Sequence, residues 1–175
     1  EGVLELQSKY HVSTISDDDK PDGFVTTAFT RHDLEKLITE EKGLHIVVER
    51  SKIIAYVMVA SWEYWSSWPF FVNMINELHK ITYLNLKLNT QNSYQYGPVC
   101  IDKQYRGKGV LKTLFEFSRK EMEKRYPILV TFINKINPRS YEAHVRKLGL
   151  EVIREFEYSN NNYYELVYDT SKIVE

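Results

Sequence analysis

Hydrophobic positions along this chain change period several times, and each change predicts an element. Leu44 to Glu49 and Lys52 to Ala60 are short runs dominated by aliphatic residues, separated only by Arg50-Ser51. That pattern predicts two strands joined by a tight turn. Before them, Thr30-x-x-Asp33 has the spacing of a capping box. It opens a predicted helix with Leu34, Leu37 and Ile38 on one face, ending near Gly43. Phe71, Met74, Ile75 and Leu78 recur at helical spacing, whereas Leu84 to Leu88 alternates and predicts an extra strand. Val110 to Arg125 reads as a helix, and Ile128 to Lys135 as a buried strand. Leu150 to Tyr158 and Asn162 to Asp169 read as strands turned at Ser159–Asn162. Val3 to Ile15 suits a strand or a short helix. Asp17 to Gly23 reads as an exposed loop and Phe24 to Phe29 as a strand.

Candidate chemistry concentrates in Gln104-Tyr105-Arg106-Gly107-Lys108-Gly109. These residues lie between a β-prone run, Gly97 to Ile101, and the helix predicted from Val110. Glycines let a backbone bend and approach a ligand. The first turn of a helix presents unpaired N–H groups at the positive end of its dipole, where anions settle. Arg106 and Lys108 add positive charge. The alternative is an ordinary strand-to-helix turn with a solvated Arg and Lys. A P-loop is excluded because no G-x-x-x-x-G-K-[ST] string occurs, and Lys112 stands where a dinucleotide fingerprint needs its third glycine.

Gln104, Gly107 and Gly109 match the [Q/R]-x-x-G-x-[G/A] pattern of the GCN5-related N-acetyltransferases (GNAT). A second block, Asn137 to Leu150, resembles the last conserved block of that superfamily, and the resemblance spans roughly Leu44 to Tyr168. It implies an α/β fold with a mixed, mostly antiparallel sheet flanked by helices and splayed where CoA enters. It also implies transfer of an acetyl group from acetyl-CoA to a primary amine of a small molecule or peptide by direct attack. The alternative is a catalytically degenerate CoA-binding sensor or scaffold. Val99, Cys100 and Ile101 would offer an N–H to the thioester carbonyl. The backbone N–H groups of Arg106, Gly107, Lys108, Gly109 and Val110, in the motif that Gln104 opens, would hold the diphosphate together with the helix dipole. Asn137, Arg139 and Ser140 would flank the CoA arm, and Asn137 is equally an N-cap with Pro138 at the first helical position. His144, with Tyr141 next, would return a proton to the CoA thiolate or simply pack on its helix. Glu63 would take the amine proton or be a solvated acid, and Tyr96 would lie near the cleft. Leu111 is bulkier than the residue usual at its position.

One stretch departs from the family layout. Residues 62–95 form a long connection where a short one is usual, and it holds all three tryptophans. Trp62, Tyr64, Trp65 and Trp68 are expected to wall the acceptor pocket; the alternatives are a dimer interface or an anchor to the core. One domain, residues 1–175, is expected, with 62–95 as an insertion.

Bulk properties narrow the partners. The 175 residues are 43% hydrophobic and 14% aromatic, enough for a folded core. A net charge of −1 leaves no basic surface for general nucleic-acid binding. No apolar run is long enough to span a membrane and no leader pattern is visible. A single cysteine, Cys100, rules out an internal disulfide, suits a reducing cytoplasm, and reads as a packed strand residue. The histidines are scattered without ligand spacing, so no metal is expected.

Overall fold

The structure, a computed structural model, describes residues 1–174 apart from the side chain of Asp22; Glu175, the last residue of the expected domain, lies outside it. Its helices are α1 (Gly2–Tyr10), α2 (Arg31–Lys36), α3 (Trp62–Trp65), α4 (Pro69–Glu77), α5 (Val110–Glu123) and α6 (Pro138–Tyr141). Its strands are β1 (Leu44–Glu49), β2 (Lys52–Ala60), β3 (Thr82–Tyr83), β4 (Leu86–Lys87), β5 (Ser93–Ile101), β6 (Ile128–Asn134), β7 (Glu151–Tyr158) and β8 (Asn161–Asp169). Six strands make one sheet in the order β1-β2-β5-β6-β8-β7. Only β5 and β6 pair in parallel. The expected mixed, mostly antiparallel sheet flanked by helices is therefore present.

Alternation along β2 divides the interior into two cores, because successive side chains point to opposite faces. Tyr56, Met58 and Ala60 join one core with residues of α1, α3 and α4. Ala55, Val57 and Val59 join the other with Leu114 and Phe115 of α5. Arg50 and Ser51 turn the β1–β2 hairpin with φ of 47° and 64°, the left-handed pair that matches strand twist. Both halves of the Thr30–Asp33 capping box form. After α2 the backbone widens into a π-type turn, Leu37–Glu41, which buries Leu37 and leaves Ile38 about half exposed. Gly43 passes so close to β2 that a Cβ there would sit 1.7 Å from the Val59 carbonyl oxygen.

The sheet opens between β5 and β6, and the cause is local. Val59 faces Tyr96 but Val57 faces Val99, so Gly97 and Pro98 together oppose one residue of β2. Such a bulge bends its strand. Gly97 takes a φ of 103°, which favours glycine, and Pro98 brings no N–H to a ladder. Pairing with β6 accordingly ends at Gln95, three residues into β5. Beyond it, the Tyr96 carbonyl takes hydrogen bonds from Thr131 Oγ1 (2.6 Å) and Gln95 Nε2 (2.7 Å), and the strands part.

Three expectations are corrected. Residues 24–29 form no strand. One bridge joins His11 and Val25, and the Gln7 amide satisfies both the N–H and the carbonyl of Phe29 at 3.1 Å, taking the place of a partner strand. Residues 84–88 are not one strand either. Leu84 and Asn85 have φ of 53° and 60° and turn the small β3–β4 hairpin. The third correction concerns the aromatic segment. Trp62 and Trp65 are fully buried and Tyr64 nearly so. Trp65 lies 4.7–5.9 Å, ring to ring, from Phe29, Tyr64, Trp68 and Phe71. Trp68 is half-buried against the same cluster. The rings of 62–68 therefore fill the core under α4. Trp62, Tyr64 and Trp65 are thus closed to an acceptor, and Trp68, which keeps part of its surface exposed, is not among the walls of the cavity at the β5–β6 opening.

Candidate active site

The opening between β5 and β6 leads into a cavity of about 730 Å³. Its sequence-legible walls are Val99, Cys100 and Ile101 of β5, then Arg106, Gly107 and Gly109 of the loop. Opposite stand Asn137, Arg139, Ser140 and His144. The last two motifs of the sequence thus face each other across the splay.

Gly107 and Gly109 hold φ of 76° and 82°, and a Cβ on either would meet nothing within 4 Å. What the missing side chains leave free is open space on the cavity wall. Gly109 caps α5 without a side-chain hydrogen bond, and the first intrahelical bond runs from Thr113 N–H to its carbonyl at 3.1 Å. The N–H groups of Val110, Leu111 and Lys112 are left without helical partners. Among the described side chains, Arg106, Lys112, Arg139 and Lys147 stand against one carboxylate, Glu142, so these walls carry an excess of positive charge in a chain of net charge −1. Such a wall suits a polyanion.

Across the opening, Asn137 accepts from the Ser140 N–H at 3.1 Å, as an N-cap followed by Pro138 should. His144 is buried, its Nδ1 2.8 Å from the Ser140 carbonyl and 3.3 Å from Ser140 Oγ. Burial holds its pKa below the usual histidine value against the opposing pull of that carbonyl. The imidazole is therefore neutral at pH 7, with Nδ1 the protonated nitrogen and Nε2 the basic one. Burial also pushes the Cys100 thiol up to about 12, so it stays a thiol.

Other expected site residues keep their side chains off the cavity wall, although the Val110 backbone N–H stays at the helix start. Gln104 turns the chain through its N–H to Asp102 Oδ1 at 3.2 Å, and Lys108 extends over the Tyr105 ring. Val110 packs on the α5-side core. None of the three side chains lines the cavity. Tyr141 packs on Tyr164 with rings 4.9 Å apart, outside the cavity wall. Tyr96 is fully buried between Phe115 and His144. Glu63 is exposed in α3, on the segment that packs into the core.

One wall was not legible in the sequence. Tyr10, Pro21, Gly23, Phe24 and Val25 cross the mouth from the other side. The Cβ position of Gly23 lies 3.7 Å from Asn137 Oδ1, so this loop bridges toward α6. Its turn residues Pro21-Asp22-Gly23 marked a loop, but nothing in them marked where the loop would lie. Among the described residues no group of three potential ligands is placed to hold a metal, and no helix is long and apolar enough to cross a membrane.

No family model and no curated protein matches this sequence. Solved structures do. A Streptococcus mutans protein, smu.2055, shares 15% identity over 97% of this chain and 92% of its own, with a TM-score of 0.62. An N-acetyltransferase from Staphylococcus aureus also shares 15%, over 97% and 91%, with a TM-score of 0.59. The ribosomal-protein-S18-alanine N-acetyltransferase of Escherichia coli shares 12%, over 99% and 89%, again at 0.59. The chain has the fold of the GNAT-type N-acetyltransferases.

Proposed function

We propose that this protein binds acetyl-CoA and transfers its acetyl group to a primary amine of a small molecule or peptide. The observation that carries this reading is the meeting, in one cavity, of an uncapped helix N-terminus, two ligand-facing glycines and four cationic side chains. The acetyl-CoA diphosphate fits the N–H groups after Gly109, with Arg106 beside it. The unpaired edge of β5 past Gln95 would accept the pantetheine arm, and an N–H among Val99, Cys100 and Ile101 would polarise the thioester carbonyl. We place the reaction in a single cytoplasmic domain in which residues 62–95 are an insertion that completes the core.

In this reading His144 is the proton carrier. An alkylammonium must lose a proton before its nitrogen can attack. Neutral His144 takes that proton at Nε2. The amine nitrogen then bonds to the thioester carbon as the C–S bond breaks, and the imidazolium returns its proton to the CoA sulfur. The second proton of the new amide nitrogen leaves to solvent. Tyr141 packs away from the cavity, which leaves His144 as the titratable group of the wall suited to this task at neutral pH. Mixing the protein with acetyl-CoA and a panel of amines, and following thiol release, tests the assignment. Thiol release that depends on the amine supports it. CoA binding without amine-dependent thiol release would instead favour the sensor or scaffold reading, which the positions of Tyr141 and Glu63 favour.

A further inference from the structure

The phosphate loop rests on a residue from the other end of the chain. Tyr10 closes α1, and its side chain reaches under the loop 93 residues further on. Its hydroxyl donates to Asp102 Oδ1 at 3.2 Å and accepts the Lys103 N–H at 2.7 Å. Asp102 is buried and is held from its other oxygen by Lys9 Nζ at 3.0 Å. Tyr10 is thereby fixed at both ends of its side chain. Its ring face then carries the Arg106 guanidinium, whose centre lies 4.9 Å from the ring centroid. Arg106 Nε donates to the Ile101 carbonyl at 2.9 Å, which sets the plane of the group over the ring. Both residues line the cavity.

We propose that Tyr10 is a positioning residue for the anion site: it stacks Arg106 so that the guanidinium is presented to the ligand diphosphate in one orientation. A guanidinium on a flexible side chain loses rotamer freedom when it binds an anion. A planar cation already stacked on an aromatic face and tied through Nε loses less. The helix α1, which carries no resemblance to a CoA-binding motif, thus becomes part of the CoA-binding machinery. The Lys9–Asp102–Tyr10 chain makes the ring rigid enough to do this, because Asp102 has both oxygens engaged.

This inference rests on the acetyl-CoA reading, and the experiment separates the two. Calorimetry with CoA at low and moderate salt is run on the wild-type protein and on Tyr10→Met, Arg106→Gln, Arg106→Lys and the Tyr10→Met/Arg106→Gln double variant, with a thermal melt of each. Tyr10→Met keeps most of the buried volume but removes the ring face. It should weaken CoA about fivefold to tenfold, in line with a partly desolvated cation–π contact, and flatten the salt dependence. The double variant should bind no more weakly than Arg106→Gln alone. Arg106→Lys keeps the charge but not the planar stack, and should lose most of what Arg106→Gln loses. Arg106→Lys also covers the case in which Tyr10→Met fails to fold, because wild-type affinity in that variant overturns the inference. Additive losses in the double variant do the same. A wild-type protein that takes up no CoA contradicts the acetyl-CoA reading itself, before any variant is compared.

Discussion

His144 Nδ1, in the π-type turn Glu142–Lys147 that follows α6, lies 2.8 Å from the carbonyl oxygen of Ser140 in α6. That contact fixes which nitrogen carries the proton, and burial keeps the ring neutral. The arrangement suits a base better than the acid expected from the sequence, since a neutral imidazole must first accept a proton before it can give one.

Replacing His144 with Gln should therefore lower kcat about a hundredfold, within the usual range for general acid–base catalysis, with little change in CoA affinity. In the wild-type protein, kcat/KM should hold until the pH falls below about 6.5, the ordinary histidine value, because the folded-state pKa lies lower. A pH–rate profile on the most active amine checks both. An acid limb above neutrality, or full turnover in His144→Gln, would remove His144 from the mechanism.

The same burial has a cost in stability that pH exposes. His45 and His144 are both held below their ordinary value, chiefly by burial. Each then binds a proton more tightly in the unfolded chain than in the folded one. Lowering the pH through about 6.5 should pull the equilibrium toward unfolding, and raising it should restore stability. The carboxylates Asp102 and Glu41 have depressed values and act only at lower pH. Urea midpoints should thus fall between pH 7.5 and pH 5.5, and fall less in His45→Gln. Burial raises the Glu165 carboxyl, which opposes the fall equally in both proteins, so a midpoint in His45→Gln that drops as far as the wild type's would contradict the burial of the His45 ring.

Trp65 is fully buried among four other aromatic rings. Trp65→Ala should cost about 3–5 kcal/mol of stability, read as a large drop in melting temperature. A change in amine KM without loss of stability would return this segment to the acceptor site.

Most of the sheet was legible because hydrophobic periodicity and turn residues are local signals. The β1–β2 hairpin, β6 and the β7–β8 hairpin are strands of the sheet as expected. Residues 24–29 were not legible, since Phe29 is held by a Gln7 side chain 22 residues away rather than by a strand. The tryptophans misled for a related reason. Large aromatic groups suit pockets and cores alike, and only the path of α4 over the sheet decides between them. In the site, the glycine loop and the Asn137 helix announced themselves, whereas Tyr10 did not. Its role depends on a tertiary contact with Asp102 that no local pattern encodes.

The central claim is that an anionic cofactor occupies the space before α5, and CoA binding by Gly107→Val addresses it most directly. A Cβ at Gly107 meets no protein atom within 4 Å, so the fold should survive with about 1–2 kcal/mol of backbone strain from its positive φ. The added isopropyl group would instead enter the space assigned to the diphosphate. Calorimetry should show CoA binding to the wild-type protein and at least about tenfold weaker binding, some 1.4 kcal/mol, to a variant with an unchanged circular dichroism spectrum. Equal affinity in the two proteins would contradict the placement of the ligand at this loop.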